Sequence, residues 1–336
     1  MRTGTLLLAG DIGGTKTKLA LYESAGGELL RLRDQTYASS DYQDFHAIVA
    51  DFISESPSVP AAACFGVAGP VAEGRCRTTN LPWLIEESAV AAHTGIPAVR
   101  LLNDLQAMAL GLKDLPAHEL VELNPDAQPR VGNMAVIAAG TGCGEAMLYW
   151  DGQTHHAIAT EGGHADFAPN SREQEGLLRW LKIKYGGHVS YERILSGPGL
   201  YNIYQYLREE GMATESVEFH AALLAGGDPG RLISRFALEE NNLLCRETIR
   251  MFVRVYGAEA GNLALKSLAH GGVLIGGGIA PKILPAMANG DFLAGFRAKG
   301  RFSEWMGSLS VKVALNQDAG LLGAAQCAAR RGGLAA

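Results

Sequence analysis

The sequence lacks the features that mark a membrane protein, a nucleic-acid-binding protein or a secreted protein. Its longest apolar run covers residues 61 to 71, whereas a bilayer span needs about 18–20 apolar residues. The formal net charge is −6, so there is no basic excess for binding nucleic acid. An apolar stretch that Asp11 interrupts follows the amino terminus, so we expect no signal peptide. We therefore predict no membrane and no nucleic-acid partner.

Cysteine is sparse, and its placement suggests no disulfide framework. The five cysteines are odd in number, far apart and without the spacing of a metal site: Cys64, Cys76, Cys143, Cys245 and Cys327. Scattered cysteines of this kind are typical of reduced thiols in the cytosol. We therefore predict a cytoplasmic protein.

Two common phosphate-binding motifs are also missing. The chain has no G-x-x-x-x-G-K-[ST], the motif of P-loop enzymes. It also has no strict G-x-G-x-x-G after a strand with an acid about twenty residues further on. The nearest approach, "AGTGCG" at residues 139–144, leads into a second strand rather than a helix. These absences exclude a P-loop enzyme and an ordinary dinucleotide-binding fold.

What is present fits a two-domain globular protein. The chain has 336 residues, and single hydrophobic cores rarely grow beyond about 250–300 residues. Short apolar runs between turn residues predict strands, and longer periodic segments predict helices. We predict strands over residues 5–10, 16–22, 28–37 and 61–68, and helices over 42–55 and 86–93. This mixture predicts an α/β fold.

The second half of the chain repeats the plan of the first. Residues 134–150 again form a strand, a glycine-rich turn with a threonine and a second strand, as residues 5–22 do. Such an echo predicts two domains built alike. We predict a smaller domain of residues 1–110 with 320–336, on which the last helix packs, and a larger domain of residues 111–319.

Two helices of the second half carry local signals. Ser171, followed three residues later by Gln174, predicts a capping box at the start of a helix. A long helix is predicted from about residue 241 to 269. Within it Gly257 and Gly261 lie four residues apart, which predicts a face where another segment packs closely.

Three glycine-rich turns each follow an apolar strand, at residues 11–15, 139–144 and 276–278. Glycine removes the side chain that would keep phosphate oxygens from backbone N–H groups, and it permits positive φ. Thr15 and Thr141 add hydroxyl donors, and Asp11 beside a phosphate calls for a cation such as Mg²⁺. One such turn alone is better explained as a plain β-hairpin. Three of them, two in equivalent places, favour a nucleotide.

Polar residues also follow a predicted strand at residues 99–102. Asn103 and Asp104 come at its carboxyl end, where ligands bind in open α/β sheets. The alternative is that they cap a helix that begins near Leu105. Both roles are compatible, with Asn103 as a ligand and Asp104 as a base.

Two later segments add acids and a histidine. "TEGGHADFAP" places Glu161 and His164 three residues apart, so both can face one small hydroxylated ligand. A zinc pair is the alternative, although no third ligand is evident. Glu192 precedes a Gly-Pro-Gly turn. The alternative to a ligand role is that Glu192 is a solvated residue that pairs with Arg193 or Lys184. Together these carboxylates and amides suit a sugar, because they bridge adjacent hydroxyls.

At this point the sequence resembles the bacterial glucokinases of the actin-like ATPase and sugar kinase superfamily. "GDIGGT", "AGTGCG" and "GGVLIGGGIAP" resemble the two phosphate hairpins and the adenosine segment. "TNLPW", "NDLQAMALGL", "EGGHADFAPNS" and "ERILSGPGLYNIY" resemble the sugar segments, in the same order. The resemblance implies a two-domain actin-like ATPase (ribonuclease H-like) fold with an interdomain cleft. It also implies phosphorylation of D-glucose to glucose 6-phosphate with ATP and Mg²⁺, and a homodimer.

The resemblance assigns roles residue by residue. Asp104 matches the base that takes the proton from the 6-hydroxyl of glucose, and Asp11 matches the position near Mg²⁺, reached through water. The glucose-binding positions are Asn80, Asn103, Asp104, Glu161, His164 and Glu192. The ATP-binding positions are Asp11, Gly13, Gly14, Thr15, Lys16, Gly140, Thr141, Gly142, Gly276, Gly277 and Gly278.

The chain departs from many members of that family after the first glycines, where they have Asn and Arg and it has Lys16 and Lys18. Lys16 could reach the γ-phosphate or point to solvent. Repressor-type sugar kinases share this lysine, but they carry a cysteine-rich zinc loop that this chain lacks. The alternatives are a kinase for another hexose or an amino sugar, and an actin-like ATPase that touches no sugar.

Overall fold

The computed structural model describes residues 4–78 and 81–332. The first half contains β1 (Thr5–Ile12), β2 (Lys16–Ala25), β3 (Glu28–Ala38), α1 (Phe45–Ser54), β4 (Ala62–Val67), β5 (Val71–Ala72), β6 (Arg75–Arg77), β7 (Leu84–Glu86), α2 (Glu87–Thr94), β8 (Val99–Asn103), α3 (Asp104–Lys113), β9 (Leu120–Glu122), β10 (Met134–Ala139), β11 (Cys143–Trp150) and β12 (His155–Ala159). The second half contains α4 (Arg172–Tyr185), α5 (Gly197–Glu209), α6 (Val217–Leu224), α7 (Pro229–Leu238), α8 (Leu243–Ser267), β13 (Gly272–Gly276), α9 (Leu284–Met287), α10 (Asp291–Arg297), α11 (Ser303–Ser308), β14 (Val311–Ala314) and α12 (Ala319–Arg331).

The chain divides into two compact units. The split unit combines the residues up to Leu115 with those from Asn316 onward, and the middle unit runs from Pro116 to Leu315. Each unit contains a mixed sheet, in the orders β3-β2-β1-β4-β8 and β12-β11-β10-β13-β14-β9. In each, an antiparallel hairpin lies beside strands that run parallel to its first strand. The shared plan expected from residues 5–22 and 134–150 is therefore confirmed.

The sheet of the split unit is covered on both faces because its strands are apolar on both. Successive residues of a strand point to opposite faces, and on β1 Leu8 joins one core while Leu7 and Ala9 join another. α1 covers the first face with Phe45. α12 covers the second face, as predicted for the last helix, with residues that include Leu321.

α12 also crosses α3 at very short range. A Cβ at Gly111 of α3 would overlap the carbonyl group of Ala319, and a Cβ at Gly323 of α12 would overlap that of Ala107. Only glycine allows the two backbones to approach this closely. The crossing fixes the position of α3, whose first residue is Asp104.

In the middle unit, α8 is largely buried and packs against α10. A Cβ at Gly257 would overlap the carbonyl of Phe292, and one at Gly261 would come within 2.7 Å of the carbonyl oxygen of Phe296. The close packing predicted for this glycine pair is therefore confirmed. The helix begins and ends two residues inside the predicted range, at Leu243 and Ser267.

The predicted capping box of α4 is only half correct. Oγ of Ser171 accepts a hydrogen bond from the backbone N–H of Gln174 (3.3 Å), but Oε1 of Gln174 accepts from the N–H of Asn170 (2.7 Å). The Gln174 side chain therefore reaches one residue too far back to complete the box. A complete capping box is present at the start of α3. The side chain of Asn103 accepts from a backbone N–H of the first turn, and Oε1 of Gln106 accepts the N–H of Asn103 (3.2 Å).

Two further observations concern the described residues. No helix within residues 4–78 and 81–332 combines the length and the apolar character needed to cross a membrane. The five cysteines are all free thiols, and only Cys327 is not fully buried.

We predict that Gly323→Ala destabilises the protein by about 1–3 kcal/mol, since its methyl group would overlap the Ala107 carbonyl and force α3 and α12 apart. Thermal unfolding followed by circular dichroism measures the effect. Gly320→Ala on the same helix is the matched control, because its Cβ would meet only Asp11, at 3.8 Å. Equal melting temperatures for the two variants would contradict the prediction.

Candidate active site

The first glycine turn, residues 11–15, joins β1 to β2. The two strands pair antiparallel up to Ile12 and Thr17, and the N–H of Gly13 donates to the carbonyl of Lys16 (2.9 Å). Neither Gly13 nor Gly14 has positive φ, so glycine serves here to clear space, contrary to the conformational role that we expected. Thr15 and Lys16 are exposed at the tip of the turn.

Ser39 supports this turn from a distant part of the chain. Its hydroxyl donates to the carbonyl of Gly13 (3.1 Å) and lies 3.0 Å from the hydroxyl of Thr17. Its N–H donates to the carbonyl of Thr15 (3.0 Å). Sequence reasoning missed Ser39, because nothing in its local sequence shows that the chain returns to the turn there.

Beside the turn, Lys18 forms ion pairs with two carboxylates of the split unit. Its Nζ lies 2.8 Å from Oδ1 of Asp318 and 3.3 Å from Oδ2 of Asp34, and Arg31 donates to Asp318 as well (2.7 Å). Although burial opposes it, hydrogen bonds from Lys18 and Arg31 lower the pKa of Asp318. Lys16, in contrast, forms no ion pair with any residue in the described ranges.

Asp11 is the carboxylate nearest the glycines. Its side chain is exposed at the end of β1. Surrounding protein atoms reduce the hydration of the Asp11 carboxylate although it keeps contact with solvent, and this raises its pKa; the negative charge of Asp318 adds to the rise, and Lys18 opposes it. A carboxylate whose charge is disfavoured in this way gains from a nearby cation.

The second glycine turn, residues 139–144, is tied to Glu192. The N–H of Gly140 donates to the carbonyl of Gly142 (2.8 Å), and the N–H of Cys143 donates to Oε2 of Glu192 (3.0 Å). A Cβ at Gly142 would overlap that carboxylate, whereas one at Gly140 would meet no atom within 4 Å. Glu192 is therefore a structural partner of the turn.

The alternative pairing of Glu192 with Arg193 or Lys184 is not what the structure has. The guanidinium of Arg193 lies over the ring of Tyr185, 4.2 Å from its centroid. Nζ of Lys184 donates to the side chains of Asn202 (2.9 Å) and Gln205 (2.7 Å). Local spacing along the chain could not show that Glu192 faces β11 instead.

The third glycine turn, residues 276–278, packs on the second. Gly277 has a φ of +82°, and a Cβ there would overlap the carbonyl of Ala139 at the end of β10. The same carbonyl accepts the N–H of Ile279 (3.2 Å). Gly276, Gly277 and Gly278 thus lie beside Gly140, Thr141 and Gly142 within the middle unit.

Asn103 and Asp104 lie where β8 ends and α3 begins. Oδ1 of Asn103 accepts the N–H of Leu105 (3.0 Å), and its Nδ2 donates to the carbonyl of Gly69 (3.2 Å). The capping role considered for Asn103 is therefore confirmed. Asp104 occupies the first turn of the helix, where a negative charge is favoured, and its Oδ1 accepts the N–H of Leu105 (2.8 Å).

Glu161 and His164 flank a short 3₁₀ turn, Gly162–His164, in the middle unit. Both side chains are exposed, and the glycines between them are packed inward. A Cβ at Gly162 would overlap the Glu145 carboxylate, and one at Gly163 would overlap the carbonyl of Cys143. These glycines let the turn lie directly on β11, next to the second glycine turn.

The segment that carries Glu192 runs beside this turn. The N–H of Tyr191 donates to the carbonyl of Ala165 (3.1 Å), and the N–H of Phe167 donates to that of Val189 (2.9 Å). His188, which sequence reasoning missed, donates from Nε2 to the carbonyl of His164 (3.0 Å). Glu161, His164 and Glu192 are therefore gathered around the second glycine turn.

The predicted site residues fall in both units. The split unit contains Asp11, Gly13, Gly14, Thr15, Lys16, Asn103 and Asp104, and the middle unit contains the remaining described positions. Asn80 lies outside the described residues. Within the described ranges, no group of three His, Cys, Asp or Glu side chains could hold a metal ion.

Comparison with known proteins identifies the family. The family model described as Glucokinase matches residues 8–331. The chain is 42% identical over 340 residues to the glucokinase of Nostoc sp. strain PCC 7120, an alignment that covers 97% of this chain and 99% of the relative.

Solved structures agree. The glucokinase of an Antarctic psychrotroph has 29% identity and a TM-score of 0.83, and the match covers 97% of this chain and 99% of that one. A ROK family glucokinase from Streptomyces griseus, solved with glucose and AMPPNP, has 24% identity and a TM-score of 0.66, with 97% and 99% covered. The fold class predicted from the sequence, an α/β fold of the actin-like ATPase type, is confirmed. The chain belongs to the glucokinase family.

Proposed function

We propose that Asp104 is the general base of a reaction that transfers the γ-phosphoryl group of ATP to the 6-hydroxyl of D-glucose. The overall activity follows from the family: the chain is an enzyme that phosphorylates glucose with ATP. The single observation that carries the site proposal is the bond between the N–H of Cys143 and Glu192 (3.0 Å). It joins a candidate glucose ligand to a candidate phosphate turn.

The chemistry asked of Asp104 is proton removal. Its carboxylate would accept the proton of the 6-hydroxyl while that oxygen attacks the γ-phosphorus in line. The new O–P bond forms as the bond from phosphorus to the β–γ bridging oxygen breaks, and ADP leaves. General-base catalysis contributes about 10²–10⁴-fold to such a rate. The α3 crossing supports this role, because it fixes the backbone of Asp104.

The proposed glucose ligands are the positions that the resemblance assigns. Glu161, His164 and Glu192 present carboxylate and imidazole groups on a turn packed against β11. Asn103 uses one Nδ2 hydrogen for Gly69, so the second remains available for a sugar hydroxyl. Asn80 is proposed as a further glucose ligand from the resemblance alone.

ATP would lie along the glycine turns. The proposed phosphate-binding positions are Gly13, Gly14, Thr15, Lys16, Gly140, Thr141 and Gly142. Gly140 supports this, since no atom lies within 4 Å of the place its Cβ would occupy. Gly276, Gly277 and Gly278 would contact the adenosine. The AMPPNP in the Streptomyces griseus structure supports a nucleotide as donor.

Asp11 fits a bound Mg²⁺. Mg²⁺ keeps several waters and takes one or two carboxylates together with substrate phosphates, and Asp11 offers one exposed carboxylate whose raised pKa favours a cation nearby. When bound, the ion would neutralise charge on the phosphates. A homodimer and a cytoplasmic location are further proposals, which the resemblance supports.

We predict that Asp104→Asn lowers kcat by about 10²–10⁴-fold, because the amide cannot accept the proton, while the KM for glucose changes little. A coupled assay of ADP release with Mg·ATP measures both values, with glucose, mannose, fructose, N-acetylglucosamine and no sugar in parallel. Asp114→Asn at the other end of α3 is the matched control and should retain full activity. Turnover by Asp104→Asn that equals the unmodified enzyme would refute the base assignment.

We predict that Lys16 and Lys18 act differently. Lys16→Ala should raise the KM for ATP about 10- to 100-fold, since a charged hydrogen bond to phosphate contributes about 1.5–3 kcal/mol. Lys18→Ala should leave that KM nearly unchanged and lower thermal stability slightly, because Lys18 is already paired with Asp318 and Asp34. Initial rates against ATP concentration and melting curves for both variants decide the matter. A larger change in KM for Lys18→Ala than for Lys16→Ala would contradict it.

A further inference from the structure

Two buried glutamates meet beneath the Gly162–His164 turn. Glu145 on β11 is 1% exposed and Glu259 on α8 is 0% exposed, and the two carboxyl groups lie close enough for the charge of Glu259 to act on Glu145. Among the described residues, no N–H or O–H group donates to Oε1 of either side chain. Two ionised carboxylates in this place would repel each other. A single proton between them removes the repulsion and supplies the missing donor.

The surroundings indicate which glutamate carries that proton. Nδ2 of Asn262 donates to Oε2 of Glu259 (2.8 Å), and Nζ of Lys266 lies 3.8 Å from its Oε1. This donor and the cation suit an ionised Glu259. The side chain of Glu145 has no comparable set of donors, so the proton belongs on Glu145.

Charge and burial agree with this assignment. Burial raises the pKa of Glu145 to about 8, the neighbouring Glu259 adds to the shift, and Lys266 opposes it. Burial also raises the pKa of the other acids that face the pair, Cys143, Tyr191 and Tyr256. It lowers the pKa of Lys299, whose Nζ bonds to the carbonyl of Ala258 and to Asn262. Glu145 is thus the carboxyl that loses its proton in the mildly alkaline range.

The pair is linked to both segments that carry the candidate glucose ligands. Gly162, between Glu161 and His164, packs directly on the Glu145 carboxyl group. The hydroxyl of Thr160 donates to the backbone carbonyl of Glu145 (2.9 Å). On the other side, Nδ2 of Asn262 donates both to Oε2 of Glu259 (2.8 Å) and to the hydroxyl of Tyr191 (3.1 Å), the residue before Glu192.

We propose that Glu145 and Glu259 share one proton, and that this singly charged pair positions Glu161, His164 and Glu192 for glucose. The proposal rests on the proposed glucose site. Neither glutamate touches the sugar, so both are positioning residues. When the proton leaves, the two carboxylates separate or admit water, and Gly162 and Tyr191 move with them. Glucose binding then weakens, and glucose restores the proton when it binds.

The test is calorimetric titration of the unmodified enzyme with glucose, without nucleotide, between pH 7 and 9. We expect glucose affinity to fall about tenfold between pH 7.5 and pH 9. Titrations in buffers of different ionisation enthalpy count the protons exchanged. We expect uptake of close to one proton per glucose at pH 9 and almost none at pH 7. Binding without proton uptake at pH 9 would overturn the proposal.

Glu145→Gln separates the pair from other alkaline groups, Lys299 included. The amide keeps the size of the side chain and a donor toward Glu259, but it cannot ionise. We expect affinity at pH 7 within about threefold of the unmodified enzyme, no loss up to pH 9 and no proton uptake. An unchanged alkaline loss in this variant would refute the role of the pair.

Glu215→Gln is the matched control. Glu215 lies in the same unit, is mostly buried and accepts a hydrogen bond from the hydroxyl of Tyr204 (2.9 Å). It should keep the alkaline loss of the unmodified enzyme, and a flat profile in this control would count against the proposal. Should Glu145→Gln fail to fold, an absence of proton uptake by the unmodified enzyme at pH 9 would still overturn the proposal. Absence of glucose binding at pH 7 would instead refute the proposed glucose site itself.

Discussion

The crossing of α3 and α12 at two glycines is the contact on which the split unit depends. Gly111 and Gly323 bring the helix backbones so close that any side chain at either position would overlap a carbonyl group of the other helix. The crossing fixes α3, which presents Asp104, and it fixes α12, which follows directly after Asp318. Asp318 in turn binds the ammonium group of Lys18, which lies on β2 opposite Asp11. This one steric constraint therefore fixes the helix that carries the proposed base, Asp104, and the helix that follows Asp318, the partner of Lys18.

In the middle unit the corresponding constraint is polar. The Glu192 carboxylate accepts the N–H of Cys143, and Gly162 lies on the carboxyl group of Glu145. Acidic side chains thus hold the second glycine turn and the Gly162–His164 turn in one arrangement. Buried carboxyl groups stabilise a structure only when each is paired or protonated. The geometry of the proposed glucose site is for this reason sensitive to a single proton.

Much of this arrangement could be predicted because it is local. The hairpins, the acids at strand ends and the α8 glycine pair follow from spacing along a few residues. The contacts that could not be predicted join distant positions: Glu192 and Cys143 lie 49 residues apart, and Lys18 and Asp318 lie 300 apart. Their partners are chosen by sheet order and helix packing, on which local spacing carries no information. The same holds for the buried glutamate pair, since neither member differs locally from a solvated acid.

The bond between Lys18 and Asp318 joins two segments of the split unit that are synthesised at different times, and this affects how the protein folds during translation. The residues that complete the split unit are synthesised after the whole middle unit. Until α12 has left the ribosome, the face of β1 that carries Leu7 and Ala9 has no cover. Domains generally fold as units as they emerge. The middle unit can therefore fold while the first segment of the split unit, up to Leu115, is still incomplete. A chain cut short before α12 would expose an apolar sheet face and be prone to aggregate.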